Sequence, residues 1–236
     1  MIKVAGIPAL NAAETIGPVI RRARLYVDFV IVVDDGSIDE TASVSFQAGA
    51  IVVKHKNNLG YGAALRSVFL AAKKIGAEVL VIIDSDGQHN PDEIPTVLKP
   101  VVSRTADISI GSRFLNNDRK VPIYRVFGIK LLNLATVFLG ANVSDSQSGF
   151  RAYSKAAINQ VRPSINGMAA GSEILIRASY AGLQIAEVPI SCTYDSNSSS
   201  QNSILHGLSV LRALFIYSIS DHENESNELL DNSQKL

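Results

Sequence analysis

Asp84-Ser85-Asp86 is the segment best equipped for chemistry, and it directly follows an apolar, β-branched run, Val79–Ile83. In an extended chain residues i and i+2 point the same way, so both carboxylates can reach one point beyond a strand. Two hard oxygen ligands suit Mg2+ or Mn2+, which takes a few carboxylates together with substrate phosphates. A cation held there would neutralise a diphosphate leaving group. The plainer reading is a solvated acidic turn. A calcium loop beginning at Asp84 is excluded, because its sixth position is His89 rather than Gly and its twelfth is Pro95 rather than Glu.

A second acidic pair, Asp34-Asp35, ends another apolar run. Neighbours in a strand face opposite ways, so one carboxylate can accept hydrogen bonds from a base or ribose while the other caps a turn. Two acidic strand ends in one sheet repel unless a cation or donor offsets them. Asn57-Asn58-Leu59-Gly60-Tyr61-Gly62-Ala63-Ala64 offers glycines for close backbone approach before a helix N-terminus, which favours phosphate; the plain alternative is a tightly packed loop. A dinucleotide-binding fingerprint does not fit, because the glycines follow the third strand and Leu65 fills the third Gly/Ala position. Arg113 and Arg125 are candidate phosphate clamps, against the alternative of surface residues. His55 and His89 lack carboxylate or cysteine partners at ligand spacing and are read as nonligands.

The elements that must position these groups alternate cleanly in the first half. Strands are expected at Ile2–Ile7, Phe29–Val33, Ile51–Lys54 and Val79–Ile83, and helices at Glu14–Tyr26, from a Ser37–Glu40 capping box to Gly49, and at Ala63–Ile75. Short β-branched strands spaced by helices predict an α/β fold with a mostly parallel central sheet flanked by helices. Ligands of such sheets bind beyond the carboxyl ends of the strands. The second half predicts helices at Glu93–Val102, Tyr124–Leu139, Gly171–Ala181 and Leu205–Ser220, with strands at Asp107–Ile110 and Ile185–Thr193.

The 236 residues suffice for one domain over 1–220, followed by a tail over 221–236 with five acids against one lysine, read as disordered. Zero formal charge gives no nucleic-acid footprint. The single cysteine, Cys192, excludes an internal disulfide and a multi-cysteine zinc site. With no charged N-terminal segment leading a long apolar run, the expected location is cytoplasmic. The apolar stretches Val126–Leu139, broken by Lys130 and Asn133, and Ile204–Ile219, broken by His206 and Arg212, fall short of the roughly 18–20 apolar residues a membrane span needs. Each could instead lie on the cytoplasmic membrane face, pack on the sheet, or form a homo-oligomer interface.

Taken in order, the motifs resemble glycosyltransferase family 2, and within it the dolichyl-phosphate mannose and glucose synthases. Ile7-Pro8-Ala9-Leu10-Asn11 is similar to the family's P-x-Y-N-E segment, and Val33-Asp34-Asp35-Gly36-Ser37 with Asp39 and Thr41 to its D-D-G-S-x-D-x-T. Asn58-Leu59-Gly60 with Gly62-Ala63-Ala64 resembles N-x-G-x-G-A-A, and Asp84 to His89 resembles D-x-D-x-Q-H. Gly111-Ser112-Arg113 and Asp145-Ser146-Gln147-Ser148-Gly149-Phe150-Arg151 resemble the later G-S-R and D-x-x-S-G-F-R. The match runs from about Ile2 to about Ser220.

The resemblance implies a GT-A fold and inverting transfer of a hexose from an NDP-sugar, UDP-glucose or GDP-mannose, to a polyprenyl phosphate. Pro8, Leu10, Asp35, Asn58, Gly60, Asp84 and Asp86 would line the nucleotide-sugar, with Asp84, Asp86 and Gln88 around Mg2+ or Mn2+. Asp86, Arg113, Arg125 and Asp145 would form the catalytic set, the two arginines receiving the acceptor phosphate. That acceptor is already an anion and needs no strong base. A sugar hydroxyl acceptor would need one, with Asp145 the candidate. The chain departs from the pattern at Leu10, where the family has an aromatic, at Ala12, where it has a glutamate, and after Tyr194, where Asp195-Ser196-Asn197-Ser198 replaces basic residues. A noncatalytic NDP-sugar-binding subunit is a further alternative, opposed by the intact D-x-D. A sugar nucleotidyltransferase would require a glycine-rich basic loop where Ala9-Leu10-Asn11-Ala12 stands.

Overall fold

The computed structural model describes residues 1–115 and 140–193, together with Asn133, Thr136 and Val137. The strands are β1 (Lys3–Ala9), β2 (Phe29–Asp34), β3 (Ile51–Lys54), β4 (Val79–Ile82), β5 (Ile108–Ser112), β6 (Arg151–Ser154) and β7 (Ile185–Pro189). The helices are α1 (Ile16–Ala23), α2 (Thr41–Gln47), α3 (Tyr61–Lys74), α4 (Ile94–Val102), α5 (Lys155–Gln160) and α6 (Ala170–Tyr180). The strands form one sheet in the order β3-β2-β1-β4-β6-β5-β7. Among the described strands only β6 runs antiparallel to its neighbours, β4 and β5. The carboxyl ends of β1, β2, β4 and β5 therefore share one edge.

Alternation along each strand feeds two apolar cores, one on each face of the sheet. Val4, Ile31, Val33, Leu80 and Ile82 face the core under α3, α5 and α6. Ala5, Ile7, Val30, Val32, Val81 and Ile83 face the one under α1, α2 and α4. Burial on both faces explains why these strands read as nearly continuous apolar runs.

Two elements were not expected. Arg151–Ser154 is too short and too polar to read as a strand, yet Tyr153 sits edge-on to Phe69 with centroids 5.0 Å apart in one core. Ser154 then caps α5, its Oγ accepting from the Ala157 N–H at 3.2 Å. The expected capping box does not form. Ser37 Oγ instead accepts from the Asn11 N–H, and the Asp39 carboxylate takes the Thr41 N–H, so α2 opens only at Thr41. Tertiary demand on the Ser37 hydroxyl outcompetes the local cap. The expected helices at 124–139 and 204–220, Arg125, and the tail at 221–236 lie outside the described residues, apart from Asn133, Thr136 and Val137, which are helical. Among the described residues no helix is long and apolar enough to cross a membrane.

Candidate active site

Asp84 leaves β4 after the buried Ile83 and lies against three walls. Tyr61 Oη donates to its Oδ1 at 3.4 Å, His89 Nε2 stands 3.7 Å from Oδ2, and Gly149 approaches so closely that a Cβ on it would lie 2.5 Å from the Asp84 Cγ. The loop beyond it is tied down at each step. Thr15 Oγ1 donates to the Ser85 carbonyl at 2.7 Å, and Asp86 Oδ1 accepts from the Gln88 N–H at 3.0 Å. The Gln88 carbonyl accepts from the Thr193 N–H at 2.9 Å, and His89 bridges to Cys192.

Burial raises the Asp84 carboxyl above its ordinary value, opposed by the Arg113 and Arg151 guanidinium groups. Asp86, though exposed as a residue, is also raised, first by partial burial and then by the Asp84 charge. His89 is lowered to about 4, first by burial and then by Arg113, so its ring is neutral near pH 7. Its Nδ1 has no hydrogen-bond partner among the described residues. Burial and Asp84 raise the Tyr61 hydroxyl, which stays a donor. Two carboxylates with raised values side by side, with no lysine or arginine bonded to either among the described residues, are the electrostatic condition that a divalent cation relieves. They do not form a complete cage: no group of three or more His, Cys, Asp or Glu suited to a metal occurs among the described residues. This suits Mg2+ or Mn2+, which fills its remaining positions with water and donor phosphates.

At the end of β5, Arg113 grips Asp145 through both ends of its guanidinium, Nε to Oδ2 at 2.8 Å and Nη2 to Oδ1 at 2.7 Å; the Arg113 N–H adds a third bond at 3.1 Å. Asp145 is fully buried. Glu187 of β7 supports the pair by accepting from the N–H groups of Ser144 and Asp145 at 2.9 and 3.1 Å. Buried Arg151 fixes the rest of this loop by donating to the carbonyls of Ser146, Ser148 and Gly171 at 2.7, 2.8 and 2.6 Å. Asn133 accepts from the N–H and hydroxyl of Ser146.

The other acidic pair has divided duties, as adjacent strand residues must. Asp34 accepts from the Ser37 N–H at 2.9 Å and faces Lys54 at 3.7 Å. Asp35 accepts from His55 Nδ1 at 2.6 Å and from the Leu59 and Gly60 N–H groups at 3.0 and 2.8 Å, shaping the loop after β3. Asn58 Oδ1 also accepts from Gly60. Both histidines therefore have carboxylate neighbours after all, and for His55 a separation of 20 residues hid the partner. Pro8 is buried within β1, while Leu10 stands exposed beyond it. Ala12 is buried in the core under α1, where a glutamate carboxylate would lack water.

The glycines of the 57–64 loop do admit close backbone approach, but of the chain itself. The Gly62 N–H donates to the Asn166 carbonyl at 2.7 Å and the Gly60 N–H to Asp35, so these two glycine donors of the phosphate cradle are already engaged. Glu173 of α6 holds the overlying segment through the N–H groups of Ser164 and Ile165, and Arg66 reaches its carbonyls. A Cβ on Gly62 would overlap the Ile165 carbonyl and lie 2.8 Å from the Ala170 methyl. Gly62→Ala is therefore expected to cost about 1–3 kcal/mol, seen as a lower midpoint in urea unfolding.

The structure thus gathers Asp84, Asp86, Gln88, Arg113 and Asp145 about the ends of β4 and β5, with Pro8, Leu10, Asp35, Asn58 and Gly60 about the ends of β1 to β3. Tyr61 and Glu187 carried no sequence signal of their own. A model of the glycosyl transferase family 2 matches residues 5–162. The chain is 32% identical over 220 residues to the UDP-N-acetylglucosamine–dolichyl-phosphate N-acetylglucosaminyltransferase of Methanococcus voltae, covering 84% of this chain and 88% of that one. It is 30% identical to the polyprenol monophosphomannose synthase of Mycolicibacterium smegmatis, covering 79% and 76%. Glucosyl-3-phosphoglycerate synthase from Mycobacterium tuberculosis, solved with Mn2+, UDP and phosphoglyceric acid, superposes with a TM-score of 0.72 at 23% identity, over 92% of this chain and 78% of that one. With a GT-A sheet, an acidic D-x-D at its carboxyl edge and a family match over most of its length, the chain belongs to glycosyltransferase family 2.

Proposed function

We propose that the chain moves a hexose from an NDP-sugar to a polyprenyl phosphate. The observation that carries this reading is the state of Asp145. A hydroxyl acceptor needs a general base, and the candidate for that role is buried with both oxygens held by the Arg113 guanidinium. A phosphate acceptor is an anion near neutral pH and attacks without one. The names of the two relatives point the same way, each acting on a polyprenol-type lipid.

In this reading an acceptor phosphate oxygen attacks the anomeric carbon from the face opposite the diphosphate. The sugar–oxygen bond breaks, the nucleoside diphosphate leaves, and the configuration inverts. Asp84, Asp86 and Gln88 would hold Mg2+ or Mn2+, whose contribution when bound is to offset charge on the diphosphate. Asp35 acts by shaping the Asn57–Gly60 loop, which with Pro8 and Leu10 borders the nucleoside. Arg113 and Arg125 orient the acceptor phosphate. A lipid acceptor also brings the chain to a membrane surface, with segments 124–139 and 204–220 the contact proposed from the sequence and a homo-oligomer the other use of them.

The test is transfer of labelled sugar from a panel of UDP- and GDP-sugars, with Mn2+, to dolichyl phosphate, to undecaprenyl phosphate and to a neutral glycan. Label entering the lipid phosphates and not the glycan is the expected result. Transfer to the glycan alone would restore Asp145 as a base and overturn the reading.

A further inference from the structure

The D-x-x-S-G-F-R loop is placed so that its glycine touches the first aspartate of the D-x-D. An ideal Cβ at Gly149 would lie 2.5 Å from Asp84 Cγ and overlap both carboxylate oxygens. The three atoms nearest that Cβ all belong to the Asp84 carboxyl group, the end of a side chain rather than backbone. Gly149 is held in place from both sides. Phe150 is fully buried against the His89 ring at 5.5 Å between centroids, and Ser148 offers its carbonyl to buried Arg151. Gly149 also lies outside the positive-φ set, so the requirement for glycine is steric rather than conformational.

Tyr61 meets the same carboxylate from α3. Its hydroxyl faces Oδ1 at 3.4 Å, and the start of α3 is anchored by the Gly62–Asn166 bond at 2.7 Å. Asp84 is thus confined by a backbone surface below and a phenol at one side, each on a rigidly held element. A carboxylate on a strand end retains rotational freedom unless such neighbours remove it, and partners of this kind strengthen a metal ligand.

We propose that Gly149 and Tyr61 are positioning residues that fix the orientation of the Asp84 carboxylate toward a divalent cation. Gly149 does so by lacking a Cβ, and Tyr61 by its hydroxyl. The family's S-G-F-R segment then serves the D-x-D directly, across 65 residues of sequence. The proposal rests on Asp84 as a cation ligand in the function proposed above, and its two measurements separate the two ideas.

The first measurement is Mn2+ affinity, read from the EPR signal of the free ion in titrations with UDP or GDP present. Gly149→Ala and Tyr61→Phe are each expected to weaken Mn2+ binding by about 10–100-fold. The second is thermal unfolding without metal. Gly149→Ala is expected to lower the melting temperature in the wild-type background and to do so far less beside Asp84→Ala, where the overlapping group is gone. Should Gly149→Ala alone fail to fold, Tyr61→Phe and the Gly149→Ala/Asp84→Ala double variant carry the test. Wild-type Mn2+ affinity in either variant removes that residue from the proposal. An undiminished loss of melting temperature beside Asp84→Ala overturns the contact itself. Wild-type protein that binds no Mn2+ overturns the ligand role of Asp84, while the unfolding comparison still decides whether Gly149 shapes it.

Discussion

Asp86→Asn is expected to lower sugar transfer by about a thousandfold while leaving the metal-free chain slightly more stable than the wild type. The loss follows from removing one charged ligand from a site whose cation would contribute several kcal/mol, each 1.36 kcal/mol being a factor of ten in rate. The gain follows from the same geometry. Partial burial and the neighbouring Asp84 charge raise the Asp86 carboxyl, and because the residue is exposed the burden its ionised form places on the folded state is small. A carboxyl raised by folding binds more protons in the native chain than in the unfolded one over the window between the two values, so stability falls as pH rises through it. Without metal, Asp84 and Asp86 therefore impose a downward slope on the melting temperature from about pH 4 upward, superposed on an upward one from His89, whose value is lowered to about 4; the difference between wild type and variant isolates the downward part. Asp86→Asn should flatten that slope, and Mn2+ at pH 7 should raise the melting temperature of the wild type but not of the variant. Scanning calorimetry with EDTA and with Mn2+ measures both. Equal turnover by variant and wild type, or full wild-type activity in EDTA, removes the metal from the reaction.

The second large effect concerns Arg113, which the structure places in two roles at once. Its guanidinium compensates a fully buried Asp145, and it is the proposed partner of the acceptor phosphate. Arg113→Ala leaves Asp145 charged and unpaired, at an expected cost of about 3–5 kcal/mol. For a domain of this size that lowers the melting temperature by about 6–20 °C. Loss of activity in that variant alone would not distinguish the roles. Replacing both partners with apolar residues does, because a buried ion pair exchanged for well-packed side chains is often neutral in stability. Arg113→Met/Asp145→Leu is expected to regain most of the melting temperature and none of the transfer to lipid phosphate. Recovery of both would make Arg113 structural only.

The sequence located what local rules control. The D-x-D and D-D pairs stand at strand ends because apolar runs must stop where the sheet meets solvent, and that pattern is visible in one dimension. It did not disclose β6, whose four residues are defined by pairing with β4 and β5 rather than by any periodicity. Nor could it show that Asp35 spends its oxygens on the loop after β3, or that Gly60 makes room for Asn166 and Gly62 for Ile165. Asn166 lies about a hundred residues from them, and its nearness depends on Glu173 and Arg66 holding the intervening segment. Ser37-Ile38-Asp39-Glu40 shows the converse, a strong local signal that lost to a distant backbone donor at Asn11.

The antiparallel strand at the middle of the sheet also dictates an order of assembly. β1 to β4 pair among themselves through successive crossovers, but the free edge of β4 accepts neither β5 nor β7; it waits for Arg151–Ser154. During synthesis at about 5–20 residues per second, the roughly 70 residues between β4 and β6 leave that edge open for several seconds or more. The strand so exposed is Val79–Ile82, four apolar β-formers in a row, which is the type of edge that recruits foreign strands. Slow elongation or premature termination between residues 83 and 150 should therefore yield an N-terminal half that is sheet-competent, unpaired at one side and prone to aggregate.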